Sequence, residues 1–128
     1  MRILLDTHVF LWMLDDSPKL SQDARGLMTA PGNDCFVSAV SFWEIAIKAA
    51  LRRKDFRLDT AGLIDAAHAA GLKHVPFVAA HAVHVARLPR HHPDPFDRAL
   101  IAQAVLEPLT LLTHDATLER YGSAVRVV

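Results

Sequence analysis

The sequence has 128 residues, 52% of them apolar, which suits one packed core and is too many for a disordered chain. Fourteen basic residues balance fourteen acidic ones, which argues against a surface coated in positive charge for duplex DNA but leaves nucleic acid open. No apolar run approaches the ~20 residues of a membrane span. The opening Met1-Arg2-Ile3-Leu4-Leu5-Asp6 is too short an apolar stretch for a secretory signal. The single Cys35 allows no internal disulfide; a reducing, cytoplasmic setting is expected.

In chain order, Arg2 to Leu5 is a short apolar run ended by Asp6, the pattern of a strand buried in a parallel sheet. Val9 to Leu14 is apolar nearly all round and reads as a short packed helix. Asp15-Asp16-Ser17-Pro18 breaks it. Ser21 can cap a second helix to about Thr29, which Pro31-Gly32-Asn33 ends. Cys35 to Val37 is a second buried strand. Ser38 or Ser41 then starts a longer helix through about Arg53. Asp59-Thr60 is expected to cap a helix over Ala61 to Ala70, with Gly71 terminating it. Lys73 to Val75 is a third strand, limited by Pro76, and Val78 to Leu88 a further helix.

The next helix, Pro95 to Leu106, opens on rigid turn chemistry: Asp94 as N-cap and Pro95 at the first helical position. Leu109 to Thr113 is the fourth strand, with Asp115 just past its end. Ala116 to Tyr121 is a last short helix before Gly122, and Val125 to Val128 a closing β-run. No repeat, low-complexity tract or long linker divides residues 1–128, so a single domain is expected. Short apolar strands alternating with helices mean a parallel α/β sheet, whose sites form beyond the carboxyl ends of the strands.

Four acids are placed for such a site. Asp6 and Asp115 each follow a buried strand. Asp97 sits in the first turn of its helix, where the helix dipole favours a carboxylate. Glu44 lies in the early turns of the helix after the second strand, ringed by Val40, Phe42, Trp43, Ile45 and Ile47. Structural explanations compete. Asp97 can complete a capping arrangement with Asp94, Ser41 with Glu44 matches a capping box, and Glu44 with Lys48 is a favourable i,i+4 pair.

Two carboxylates about 5 Å apart repel by roughly 3 kcal/mol at an effective dielectric of 20, so four together call for a hard divalent cation such as Mg²⁺. With four acids drawn into one site, fourteen basic residues face ten remaining acids elsewhere. Of the eight histidines none has a zinc-type context. His91-His92 falls in a proline-rich loop and reads as surface; His81 and His84 read as packing or surface residues. There is no Gly-rich phosphate loop.

Leu4-Leu5-Asp6-Thr7, Ser41-Phe42-Trp43-Glu44 with Lys48, Asp94-Pro95-Phe96-Asp97-Arg98 running on to Gln103-Ala104, and Leu111-Leu112-Thr113-His114-Asp115 together resemble PIN-domain ribonucleases. The resemblance is to the VapC-type toxins of bacterial toxin–antitoxin pairs, and it covers essentially the whole chain. It implies a PIN-like three-layer α/β/α fold with a central, mostly parallel sheet of four to five strands. It implies an acidic tetrad of Asp6, Glu44, Asp97 and Asp115 holding one or two Mg²⁺ ions, or Mn²⁺. A water activated by the metal would attack an RNA phosphodiester, leaving a 5′-phosphate and a 3′-hydroxyl. Thr113 would orient the site without binding metal; Asp94 and Arg98 belong to the Asp-Pro-Phe-Asp-Arg variant and are not catalytic acids.

Candidate phosphate contacts are Lys48, Arg52, Arg98 and the basic run near Arg53. The resemblance further implies a homodimer silenced by an antitoxin peptide in an apolar groove. Phe10, Trp12, Phe42 and Trp43 are candidates for that groove or the dimer seam, against a plain core role. Two other readings compete: a structure-specific DNA nuclease, for which the chain is short, and a phospho-accepting signalling module. The latter wants paired acids after the first strand and a late lysine, whereas Asp6 follows Leu5 and no lysine follows Lys73.

Overall fold

The computed structural model describes residues 1–51 and 60–128. Five parallel strands form one sheet in the order β3-β2-β1-β4-β5: β1 is Arg2–Leu5, β2 Asp34–Ser38, β3 Lys73–Val75, β4 Thr110–Thr113 and β5 Val125–Val127. The chain winds outward from β1 to one edge and then returns to build the other, so the order switches between β1 and β4. Leu4 lies opposite Phe36 on one side and Leu111 on the other, and Leu5 opposite Leu112. The ladder continues one step further, the Asp6 amide donating to the Leu112 carbonyl at 3.0 Å.

Alternation along these strands builds two cores. Ile3, Leu5, Val37 and Leu112 face α1 (Thr7–Leu14), α2 (Gln22–Thr29), α3 (Ala39–Ala50) and α4 (Leu63–Ala69), through Val9, Phe10, Ala24, Ile45 and Ala67. Leu4 and Leu111 face the opposite layer, dominated by α6 (Pro95–Leu106), whose Ala99 to Ala102 and Ala104 are all buried, with Val85 of α5 (Ala79–Val85) at its side. Small alanines let α6 lie close to the sheet. The fold is therefore the expected three-layer α/β/α, with a wholly parallel sheet of five strands. Among the described residues no helix is long and apolar enough to cross a membrane.

Several element boundaries differ from the expectation for local reasons. α1 starts at Thr7 rather than Val9, because Asp6 itself is the N-cap. Of the two serines, Ser38 caps α3, accepting from the Val40 amide at 3.0 Å. Ser41 instead accepts a hydrogen bond from Thr7 Oγ1 at 2.9 Å, so the capping box with Glu44 is not formed. Before α4 the chain makes a 3-10 turn at Thr60–Gly62; the expected Asp59 cap lies outside the described residues. The segment after Asp115 is a 3-10 turn over Ala116–Ala124, broken at Gly122 by a φ of 88° that an L side chain would resist.

Candidate metal centre

The switch between β1 and β4 brings two strand ends side by side, and each ends in an acid that also caps the helical segment beyond it. Asp6 Oδ1 accepts from the amides of His8 at 2.7 Å and Val9 at 3.4 Å, while Oδ2 accepts from Thr113 Oγ1 at 2.8 Å. The same Thr113 oxygen accepts from the Asp115 amide at 3.1 Å. One hydroxyl thus joins the two strand ends. Burial raises the Asp6 pKa, opposed by hydrogen bonds from Thr113 and from the His8 and Val9 amides and by the His8 charge.

Asp115 Oδ1 accepts from the Thr117 hydroxyl at 2.6 Å and from its amide at 2.9 Å. Burial pushes this carboxyl up, but Thr117, His92 and His114 together outweigh it and hold the group below its ordinary value.

Asp97 arrives from the other direction, on the first turn of α6. Asp94 caps that helix, accepting from the Phe96 amide at 2.8 Å and the Asp97 amide at 3.2 Å. Asp97 does not return the favour in a capping pair: its Oδ2 lies 2.8 Å from His92 Nε2. Burial, then the negative charges of Asp94 and Asp6, push Asp97 up to about 7, against the opposing pull of His92. His92 Nε2 also lies 4.0 Å from Asp115 Oδ2. Ligand atoms of His92, Asp97 and Asp115 all fall within 4.8 Å of one another.

Glu44 stands one helical turn beyond Ser41, the residue tied to Thr7. It is 3% exposed. Its Oε2 is 2.6 Å from Lys48 Nζ, the i,i+4 pair that the sequence allows. Its Oε1 is buried and finds no hydrogen-bond partner among the described residues. Lys48 compensates the charge, and Oε1 is left as an acceptor open to a further donor or cation. The structure thus joins Asp6, Asp97 and Asp115 through shared partners and charge. Neither Asp6 nor Glu44 is among the ligand atoms grouped with His92, Asp97 and Asp115.

The basic residues have other work. Lys48 lies on Glu44. Arg98 donates to the carbonyls of Val85 and Pro89, both at 2.9 Å, and to Tyr121 Oη at 3.1 Å, so its guanidinium binds the α5–α6 loop together. That is a structural occupation of the fork expected to meet phosphate. Arg52 lies outside the described residues. Among the aromatics, Phe10 is fully buried, Trp12 and Phe42 are partly buried against the core, and Trp43 is 57% exposed with its ring edge on Phe96.

His92 is the residue that sequence reasoning missed. The signal was its place two residues ahead of the Asp94 cap, with Pro93 and Pro95 fixing the turn; a loop bent so tightly over a helix start returns its side chains to the first turn.

Oxygen donors on a partly buried floor, two of them with raised pKa values, are the donor chemistry of a divalent cation such as Mg²⁺ or Mn²⁺. Asp97 and Asp115, with Asp6 behind them, would hold it.

Comparison with known proteins agrees with this fold. The chain is similar over 100% of its length, and 98% of the other chain, to a structure of VapBC2 from Rickettsia felis bound to a promoter DNA fragment, with TM-score 0.71 and 16% identity. It is similar to VapBC-1 from nontypeable Haemophilus influenzae, with TM-score 0.69, 14% identity and coverage of 100% and 97%. A third similar structure is VapBC-5, of the VapBC family of toxin–antitoxin systems, from Mycobacterium tuberculosis: TM-score 0.63, 19% identity, coverage 99% and 97%. At such identities the likeness is one of fold. No curated protein sequence matches the chain. A sequence model of the PIN domain matches residues 3–124; with acids meeting where β1 and β4 end, the chain belongs to the PIN-domain family, whose members are nucleases that use divalent metal.

Proposed function

We propose that this chain is a metal-dependent endoribonuclease and the toxin of a toxin–antitoxin pair, a single domain over residues 1–128 acting in the cytoplasm. The observation that carries the reading is the convergence of Asp6, Asp97 and Asp115 at the sheet's switch point, with the charge of Asp6 helping to raise Asp97 to about 7. Carboxylates that destabilise one another without a counter-ion make a site whose energy is recovered on binding one. Asp97 and Asp115 are the ligands, Asp6 a third acid behind them, and Glu44, with its bare buried Oε1, the fourth.

When bound, Mg²⁺ or Mn²⁺ lowers the pKa of a coordinated water and neutralises phosphoryl oxygens. The chain's own residues do the positioning. The Thr113 hydroxyl fixes Asp6 Oδ2 and the Asp115 backbone together. The amides of His8 and Val9 hold Asp6 Oδ1, and the α6 N-terminus presents Asp97 toward them. A substrate phosphodiester would enter over these acids from single-stranded or looped RNA, whose backbone can be splayed for attack. Products would carry a 5′-phosphate and a 3′-hydroxyl. Lys48, Arg52 and Arg98 are the candidate phosphate contacts; Arg98, being engaged with carbonyls, is the weakest of them.

An antitoxin partner is supported by the VapBC complexes among the similar structures, and a homodimer by the family resemblance. The exposed Trp43 is the aromatic best placed for either contact. The test is incubation with total RNA and with single-stranded DNA, with Mg²⁺ or EDTA, comparing the unaltered protein with Asp97→Asn. Metal-dependent RNA cuts lost in the variant are expected. Equal cutting by both proteins would refute the assignment, and cutting of DNA alone would replace the substrate.

A further inference from the structure

We propose that His92 is itself a ligand of the cation, completing with Asp97 and Asp115 a one-imidazole, two-carboxylate set that favours Mn²⁺ over Mg²⁺. The inference rests on the metal-dependent reading above and adds to it a nitrogen donor that the four-acid scheme does not contain.

Three observations carry it. The first is spacing. Ligand atoms around a six-coordinate cation at ~2.1 Å lie about 3.0 Å apart when adjacent and about 4.2 Å apart when opposite. His92 Nε2 is 2.8 Å from Asp97 Oδ2 and 4.0 Å from Asp115 Oδ2, and the three ligand atoms lie within 4.8 Å of one another. A cation can enter among them with little rearrangement.

The second is the far side of the ring. His92 Nδ1 faces Thr117 Oγ1 at 3.4 Å. That hydroxyl gives its proton to Asp115 Oδ1 at 2.6 Å, so toward the imidazole it can only accept. With a cation in place of the proton between Nε2 and the carboxylates, the Nδ1 proton would turn to that oxygen, the arrangement by which an outer hydrogen bond steadies a metal-binding histidine. The third is rigidity. Pro93, the Asp94 cap and Pro95 come directly after the residue, and the side chain is 16% exposed. The imidazole is held over the α6 terminus by a turn with few alternatives.

The donor set decides the metal. Mg²⁺ is hard, prefers oxygen and keeps its waters. A nitrogen ligand shifts preference toward first-row transition cations, of which Mn²⁺ most resembles Mg²⁺ in size and coordination.

The experiment is metal titration of the EDTA-treated, dialysed full chain, with no RNA present. Mn²⁺ binding is followed by electron paramagnetic resonance and Mg²⁺ binding by competition. The unaltered protein is expected to bind Mn²⁺ at least about tenfold more tightly than Mg²⁺. His92→Ala and His92→Gln should each lose about tenfold or more in Mn²⁺ affinity while Mg²⁺ changes less than about threefold. Electron spin-echo modulation from a directly bound ¹⁴N should appear in the unaltered protein and vanish in both variants. That spectrum on the unaltered chain does not depend on how any variant folds. Undiminished Mn²⁺ affinity in the variants, or Mn²⁺ bound with no nitrogen coupling, overturns the inference and leaves the metal reading standing. Failure of the unaltered protein to bind either cation overturns both.

Discussion

Replacing Asp97 by Asn should stabilise the metal-free protein at pH 8 and abolish its response to metal. The folded pKa of Asp97 is pushed to about 7 from the ordinary 3.8, by burial and by Asp94 and Asp6. The sign comes from proton linkage. Between pH 4 and 7 the folded state retains a proton that the unfolded chain releases, so raising the pH through this window costs stability. Below it the group is neutral in both states and the cost is absent. The full shift would correspond to about 4 kcal/mol. Asp97 is 20% exposed at its side chain and water screens part of the field, so about 1–2 kcal/mol is the reasonable effect.

For a chain of this size that is about 4–8 °C in Tm. Asn removes the charge but can still hydrogen-bond His92. In EDTA, thermal melts should therefore place Asp97→Asn about 4–8 °C above the unaltered protein at pH 8. The gap should shrink to under about 3 °C at pH 5. Adding 10 equivalents or more of Mn²⁺ at pH 8 should raise the unaltered protein to or past the variant, while the variant stays put. A variant less stable than the unaltered protein in EDTA at pH 8 would refute the electrostatic reasoning. So would an equal response of both to metal.

Three further outcomes rest on particular contacts. Thr113→Val leaves both the buried Asp6 Oδ2 and the Asp115 amide without their shared partner, and urea unfolding should show a loss of about 2–3 kcal/mol. Thr113→Ser should recover most of it, and no recovery would count against the hydroxyl bridge. Arg98→Lys cannot span the carbonyls of Val85, Leu88 and Pro89. It should lose about 1–3 kcal/mol and speed amide exchange in the α5–α6 loop while leaving RNA affinity within about twofold; a large affinity loss with unchanged exchange would return Arg98 to a phosphate role. Gln103→Leu strips partners from the buried Ser38 hydroxyl at 2.5 Å and from the Pro76 carbonyl at 3.1 Å, and should cost about 2–3 kcal/mol in urea unfolding. A change under about 0.5 kcal/mol would mean that the network is dispensable.

Much of this molecule can be read from local pattern. Runs such as Ile3-Leu4-Leu5 and Leu111-Leu112 suit strands buried on both faces, and the turn Asp94-Pro95 suits a helix start. Those two readings alone put Asp6, Asp97 and Asp115 near one edge of a parallel sheet. What was illegible depended on distance in the chain. Ser38 and Ser41 are both good caps, and the choice was made by Thr7, thirty-four positions from Ser41, which takes up the second hydroxyl. Arg98 could serve phosphate or backbone; the carbonyls that claim it come from the end of α5 and the loop beyond. His92 sits in a loop of prolines that resembles any solvent-facing connection until its fold over α6 is seen. His81 shows the converse. Its pattern suits packing or surface alike, and it is in fact buried, with Nδ1 accepting from the Val78 amide at 3.1 Å and Nε2 turned to Glu107 at 2.6 Å, so that it anchors α5 against α6.

The Thr113 bridge also says where variation is cheap. Because Asp6 and Asp115 leave neighbouring strands, their separation is inherited from the ~4.8 Å repeat of the sheet and locked by one oxygen, independent of any loop. Described loops other than the turn from His92 to Pro95 can be recharged or reshaped over generations around that fixed anvil. The cutting edge itself would keep its gauge.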